Sequence, residues 1–87
     1  MSVKYPNSTT LEASILKALK ALGGLAKSSE IDGFVMKDLA FTHEQKTQIR
    51  SGNRTEIQYR LAWVRTKAKK SGLIEKVGNN SWKIMGQ

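Results

Sequence analysis

Cysteine is absent, and histidine and proline occur once each among the 87 residues. Without cysteine there is neither a disulfide framework nor a thiolate zinc site, so the fold must rest on ordinary packing. Long apolar runs are missing too: nothing approaches the roughly 18 residues of a membrane span, and the opening Met-Ser-Val-Lys-Tyr-Pro has no apolar signal core. The expectation is a soluble cytoplasmic protein that meets no membrane. A chain of this length forms one domain and buries roughly 60 to 65% of its unfolded surface, leaving a small core.

Catalytic clusters are equally scarce. Glu12, Glu30, Asp32, Asp38, Glu44, Glu56 and Glu75 stand singly or in helix-cap sequences, and the lone His43 also sits in a cap sequence. Metal-assisted phosphodiester cleavage needs gathered carboxylates, and Glu30 and Asp32 lie too close in sequence to share a helix face. The chain by itself is therefore expected to be no enzyme, with no metal, no cofactor and no small-molecule substrate.

Basic charge is abundant and unevenly placed. Residues 1–43 hold five Lys and four Asp/Glu, a balance of +1, whereas residues 44–87 hold ten Lys/Arg and three Glu, a balance of +7. Such asymmetry suits a polyanion, and nucleic acid gains from each neutralised phosphate by releasing condensed counterions. An anionic membrane surface is a poorer match, since the basic segment has no broad face of bulky apolar anchors beyond what a core would cover.

The pattern along the chain predicts an order of elements. Residues 1–7 read as a loose tail, and residues 8–87 as the domain. Thr9-Thr10-Leu11-Glu12 has the form of a capping box, opening a helix over Thr10 to Leu22 that Gly23-Gly24 ends. Leu25-Ala26-Lys27 is an extended link or short strand. Ser29 to Asp32 repeats a cap signature and predicts a second helix from Glu30 to about Leu39. Gly33 inside it costs about 1 kcal/mol relative to alanine, so either a backbone packs closely there or the helix is weak. Thr42-His43-Glu44-Gln45 starts a short connector helix to about Ile49, and Arg50 to Arg54 reads as a flexible basic link. A long helix follows to about Lys70, capped either by Asn53 with Glu56 or by Thr55 with Gln58. Beyond Gly72 the period shortens to two. Leu73 to Val77 and Ser81 to Met85 form a hairpin through Gly78-Asn79-Asn80, with Trp82 and Ile84 facing inward and Lys83 outward. Three main helices, a short connector helix and a C-terminal hairpin make an α+β domain in the order of a winged helix-turn-helix.

The segment Arg54 to Gly72 organises this order and carries six of the fifteen Lys and Arg residues. Ile57, Leu61, Val64 and Ala68 fall within about 60° of one another and form its core face. The opposite face offers Thr55, Tyr59, Ala62, Thr66 and Lys70, flanked by Gln58 and Lys69. Short, hydrogen-bonding and basic side chains together suit entry into a major groove; a solvated lysine-rich surface is the plainer reading. Trp63 lies about 120° from the centre of the core face. It is either a boundary residue packed under the wing or against the connector, or, with Tyr59, a contact to a methyl group or an extruded base.

Glu56 to Ile74, with its Tyr59-Arg60, Trp63 and Lys69-Lys70-Ser71-Gly72-Leu73, followed by Ser81-Trp82, resembles the N-terminal winged-helix domain of Mrr-type restriction systems. The earlier Ala21 to Ile31 stretch, with Gly23-Gly24 and Ser29-Glu30-Ile31, is similar to the same family, so the resemblance spans about residues 10–85; Val64 departs from its usual alanine. The resemblance implies a DNA-target module, normally joined to a separate nuclease domain or working with a nuclease subunit, and a methylated base as the feature read. The chain is either that recognition domain alone or a free-standing relative.

The expected partner is double-stranded DNA, with the protein nucleoid-associated when bound. Arg54, Thr55, Gln58, Tyr59 and Ala62 are expected near bases, with Trp63 and Thr66 beside them. Arg50, Lys69, Lys70, Lys76 and Lys83 are expected at phosphates, and Asn79 and Asn80 at the wing tip. The alternatives are a winged-helix protein-interaction module, a general regulator-type DNA binder, and RNA binding. The last is a poorer match because no run of paired aromatics stands out for stacking unpaired bases.

Overall fold

A computed structural model describes residues 4–85 and, of Ser51, the backbone alone. The first helix, α1, spans Ser8–Ala21. It starts two residues earlier than the Thr9 capping box implies, because Asn7 is the cap: its Oδ1 accepts from the Thr10 amide at 2.9 Å. An asparagine with extended backbone satisfies an orphan amide as well as a threonine does. Leu11, Ile15, Ala18 and Leu19 are buried as the periodicity requires, but Leu22 is the C-cap and exposed. Gly23 and Gly24 both take positive φ (91° and 92°), and the Gly24 amide returns to the Leu19 carbonyl at 2.6 Å.

That turn delivers β1, Leu25–Lys27, followed at once by α2, Ser28–Asp38. This helix also begins two residues before the expected Glu30, since the Glu30 carboxylate reaches back to the Lys27 amide at 2.9 Å and fixes the N-cap there. Ile31 and Val35 are buried. At Gly33 a Cβ would meet nothing within 4 Å, so no backbone packs closely against it. Ala40, just past α2, takes a left-handed φ of 52° so that Phe41 can turn inward, its amide bonding the Met36 carbonyl.

The connector helix α3, His43–Thr47, has the expected box: Thr42 Oγ1 accepts from the Gln45 amide and Gln45 Oε1 from the Thr42 amide. The stretch expected to be a flexible link is instead a miniature hairpin, β2 (Ile49–Ser51) against β3 (Arg54–Thr55), turned through Gly52 at φ 53°. The long helix α4, Glu56–Lys70, follows without a break. Of its two possible caps the chain uses Thr55 with Gln58, each side chain accepting from the other's amide. Residues 4–7, expected to be loose, are tied down: the Tyr5 hydroxyl donates to the Gln45 carbonyl at 3.0 Å and its ring meets Phe41 edge-on.

The C-terminal hairpin is β4 (Ile74–Val77) and β5 (Ser81–Ile84). The sheet order is β1-β5-β4, antiparallel throughout, with Trp82 opposite Ala26 on one side and Lys76 on the other. Ile15, Leu19, Ile31, Val35, Ile57, Leu61 and Ile74 are the buried centre, closed at the sheet by Trp82 and Ile84. The α4 residues predicted to face the core all do so. The described residues form an α+β domain of four helices, a small three-stranded antiparallel sheet and the β2–β3 ribbon, with the far side of α4 left uncovered.

Candidate functional site

The exposed side of α4 is bordered by two clefts that meet at its midpoint. The first, about 520 Å³, lies between the start of α2, the β2–β3 turn and α4, with Lys27, Arg54, Gln58 and Asn80 on its walls. A second, about 300 Å³, runs between α4 and the hairpin, with Ala62, Thr66, Lys69, Lys76 and Asn79 around it. Ser28, Arg65 and Asn80 line both. Eight of the residues singled out from the sequence therefore converge on one concave strip.

The hairpin tip is held beside α4 rather than left free. The Asn80 carbonyl accepts from the Ser28 amide at 2.7 Å and from the Ser28 hydroxyl at 3.2 Å. The same hydroxyl receives the Trp82 indole N–H at 2.8 Å, so one serine at the head of α2 fixes both the turn and the core tryptophan. Lys76 points to the α4 side of the sheet, its Nζ 5.9 Å from the Trp82 ring centre. Lys83 does not join it. It sits across from Leu25 and Glu75 on the other sheet face, beside Lys20, because alternate residues of a strand face opposite ways.

Arg65 is the residue that sequence reading missed. Counted there only among the six Lys and Arg residues of the segment, it is 7% exposed at the junction of the two clefts, with Nη1 bonded to the Asp32 carboxylate. Its Nε is buried without a partner. Burial pushes the Asp32 carboxyl up to about 6, outweighing the pull of Arg65 toward the ionised form. The signal available in sequence was Asp32 itself, a carboxylate adjoining the apolar Ile31 on α2, which calls for a cation from elsewhere. That the cation is Arg65 cannot be read from spacing.

Several other expected contacts have internal duties. Thr55 gives its hydroxyl to the α4 cap, and Gln58 gives Oε1, which leaves Gln58 its amide nitrogen. Arg50 bonds Glu56 and lies 3.7 Å over the Tyr59 ring. Arg60 Nε donates to Glu56 Oε2 at 2.7 Å, and its guanidinium covers Tyr5. Desolvation works to raise the Glu56 carboxyl, but the bonds from Arg50 and Arg60 prevail and hold it below its ordinary range. Among the described residues Arg54, Lys69, Lys70 and Lys76 make no salt bridge, and Lys70 stands exposed at the end of α4 outside both clefts.

Trp63 is not packed under the hairpin; it is 58% exposed, next to Tyr59 at 40%. Two exposed aromatic side chains therefore share one face of α4. No three of His, Asp and Glu among the described residues gather as a metal site, and no helix there is long and apolar enough to cross a membrane.

A small α+β domain with one basic, hydrogen-bonding concave strip along an uncovered helix is the class of molecule these observations define. The chain belongs to the Mrr N-terminal domain family, whose model matches residues 9–86, and its association is accordingly with restriction systems. No curated protein and no solved structure matches it.

Proposed function

We propose that this chain is a double-stranded DNA-binding module of a restriction system, built as a winged helix-turn-helix with α4 as the recognition helix and β4–β5 as the wing. The observation that carries the reading is the strip along α4. Arg54, Lys69 and Lys76 bring unpaired cations to it, Gln58, Thr66, Asn79 and Asn80 bring donors and acceptors, and Ala62 gives room for close approach. Among the described residues that line it, the one carboxylate, Asp32, is matched by Arg65. Phosphates want the first set and base edges the second. In this arrangement Gln58 and Thr66 approach bases, Lys69, Lys70 and Lys76 approach phosphates, and catalysis belongs to a separate nuclease domain or subunit. The methyl group of a modified base is the feature the module reads.

Binding of the protein to paired duplexes, unmodified or carrying N6-methyladenine or 5-methylcytosine, tests this at several salt concentrations. Affinity that falls steeply with salt, with Lys69→Ala lowering the log–log slope by about one, supports duplex binding; a preference for one modified duplex that persists at high salt supports modification reading. Absence of binding to every duplex refutes both.

A further inference from the structure

Three of the large exposed hydrophobic side chains, Ile49, Tyr59 and Trp63, lie on β2 and the first half of α4. Tyr59 and Trp63 are four residues apart and so share a helix face. Beside them is a recess of about 380 Å³ bounded by Tyr5, Pro6, Arg50, Glu56, Arg60 and Trp63. It is separate from the two clefts on the hairpin side of α4, with which it shares no lining residue.

The chemistry of the recess is aromatic faces among cations. Arg50 covers one face of Tyr59 and Arg60 lies 4.8 Å over Tyr5, while outside the lining Lys67 Nζ is 6.0 Å from the Trp63 ring centre. Glu56 is neutralised by two arginines yet remains on the wall with acceptor oxygens. A paired base inside a duplex presents only its edge, its flat faces being hidden by its neighbours. An aromatic platform with cations around it matches an unpaired base with its attached phosphates.

We infer that this recess accepts one unpaired nucleobase of the bound DNA, stacked on Trp63, with Arg50, Arg60 and Lys67 holding the adjoining backbone. The inference rests on the duplex-binding reading above and assigns the chain a preference for duplexes in which a base is displaced from the stack.

Two labelled duplexes of one sequence test it, the first fully paired and the second with a single additional unpaired adenine. The second binds roughly tenfold tighter, as one base stacked on one aromatic side chain implies. Trp63→Ala brings the ratio of the two affinities to about one, and Trp63→Phe keeps most of it. Trp63 is largely solvent-exposed, so an unchanged thermal midpoint shows that the variants remain folded. Equal affinities in the wild type, with duplex binding intact, overturn this inference alone. A preference that survives Trp63→Ala overturns it as well, and failure to bind either duplex overturns it together with the DNA reading.

Discussion

Replacing Asp32 by asparagine keeps the shape of the side chain and an oxygen that can accept from Arg65, while removing a charge that burial disfavours. The folded carboxyl titrates at about 6 against an ordinary 3.8. Between these values the folded chain holds a proton that the unfolded chain has released, so stability falls as pH rises. The contribution is complete below the unfolded value and lost once pH has passed the folded one. At about 1.4 kcal/mol per pKa unit it amounts to about 3 kcal/mol. The asparagine side chain is neutral throughout. The Asp32→Asn protein should therefore match the wild type near pH 4 and exceed it by about 2 to 3 kcal/mol at pH 7. Asp38, held low by Lys17 and Ser14, and Glu56, held low against desolvation by Arg50 and Arg60, tilt stability the other way by losing their contribution as pH falls. Both proteins carry these two groups, so they cancel in the difference. Urea unfolding followed by tryptophan fluorescence from pH 4 to 7.5 measures it. A deficit in the variant that grows with pH would show that attraction to Arg65 outweighs desolvation and would refute the reasoning.

Three further perturbations test the fold. Leu61→Ala removes a fully buried α4 side chain from the core and should cost about 3 kcal/mol in urea unfolding. Thr55→Ala removes the hydroxyl that caps α4 and should cost about 1 kcal/mol, seen as a lower thermal midpoint and earlier amide exchange at Ile57 and Gln58. Ala40→Gly relieves the left-handed backbone at φ 52° and should raise stability by up to about 1 kcal/mol.

Much of the architecture was legible because it is local. The box at Thr42 with Gln45 and the Ile57, Leu61, Val64 and Ala68 stripe each join residues within a few positions of one another, where spacing alone decides what can meet. Where two local solutions compete, spacing does not choose. Asn7 and Thr9 can each cap α1, and Asn53 with Glu56 competes with Thr55 with Gln58 for the start of α4; the chain uses Asn7 and Thr55. Likewise Arg50 to Arg54 has no apolar alternation to announce the two short strands that pair there, between α3 and α4.

By itself the sequence determined the helices and the hairpin, their apolar faces, and a C-terminal half rich in positive charge, all consequences of side-chain type at short separation. Tertiary structure alone decided how that charge is distributed. Asp32 and Arg65 are 33 positions apart, and Ser28 and Trp82 are 54 apart. The bond from Arg65 on α4 to Asp32 on α2 makes one cation a buried partner, and Ser28 at the head of α2 fixes the hairpin tip beside the strip along α4. The pleat of β5 sends Lys83 to the far face while Lys76 faces α4, and Tyr5 with Glu56 and its two arginines builds a recess beside Trp63. Contacts between distant residues depend on which surfaces meet when the core closes, and periodicity along the chain does not encode that meeting.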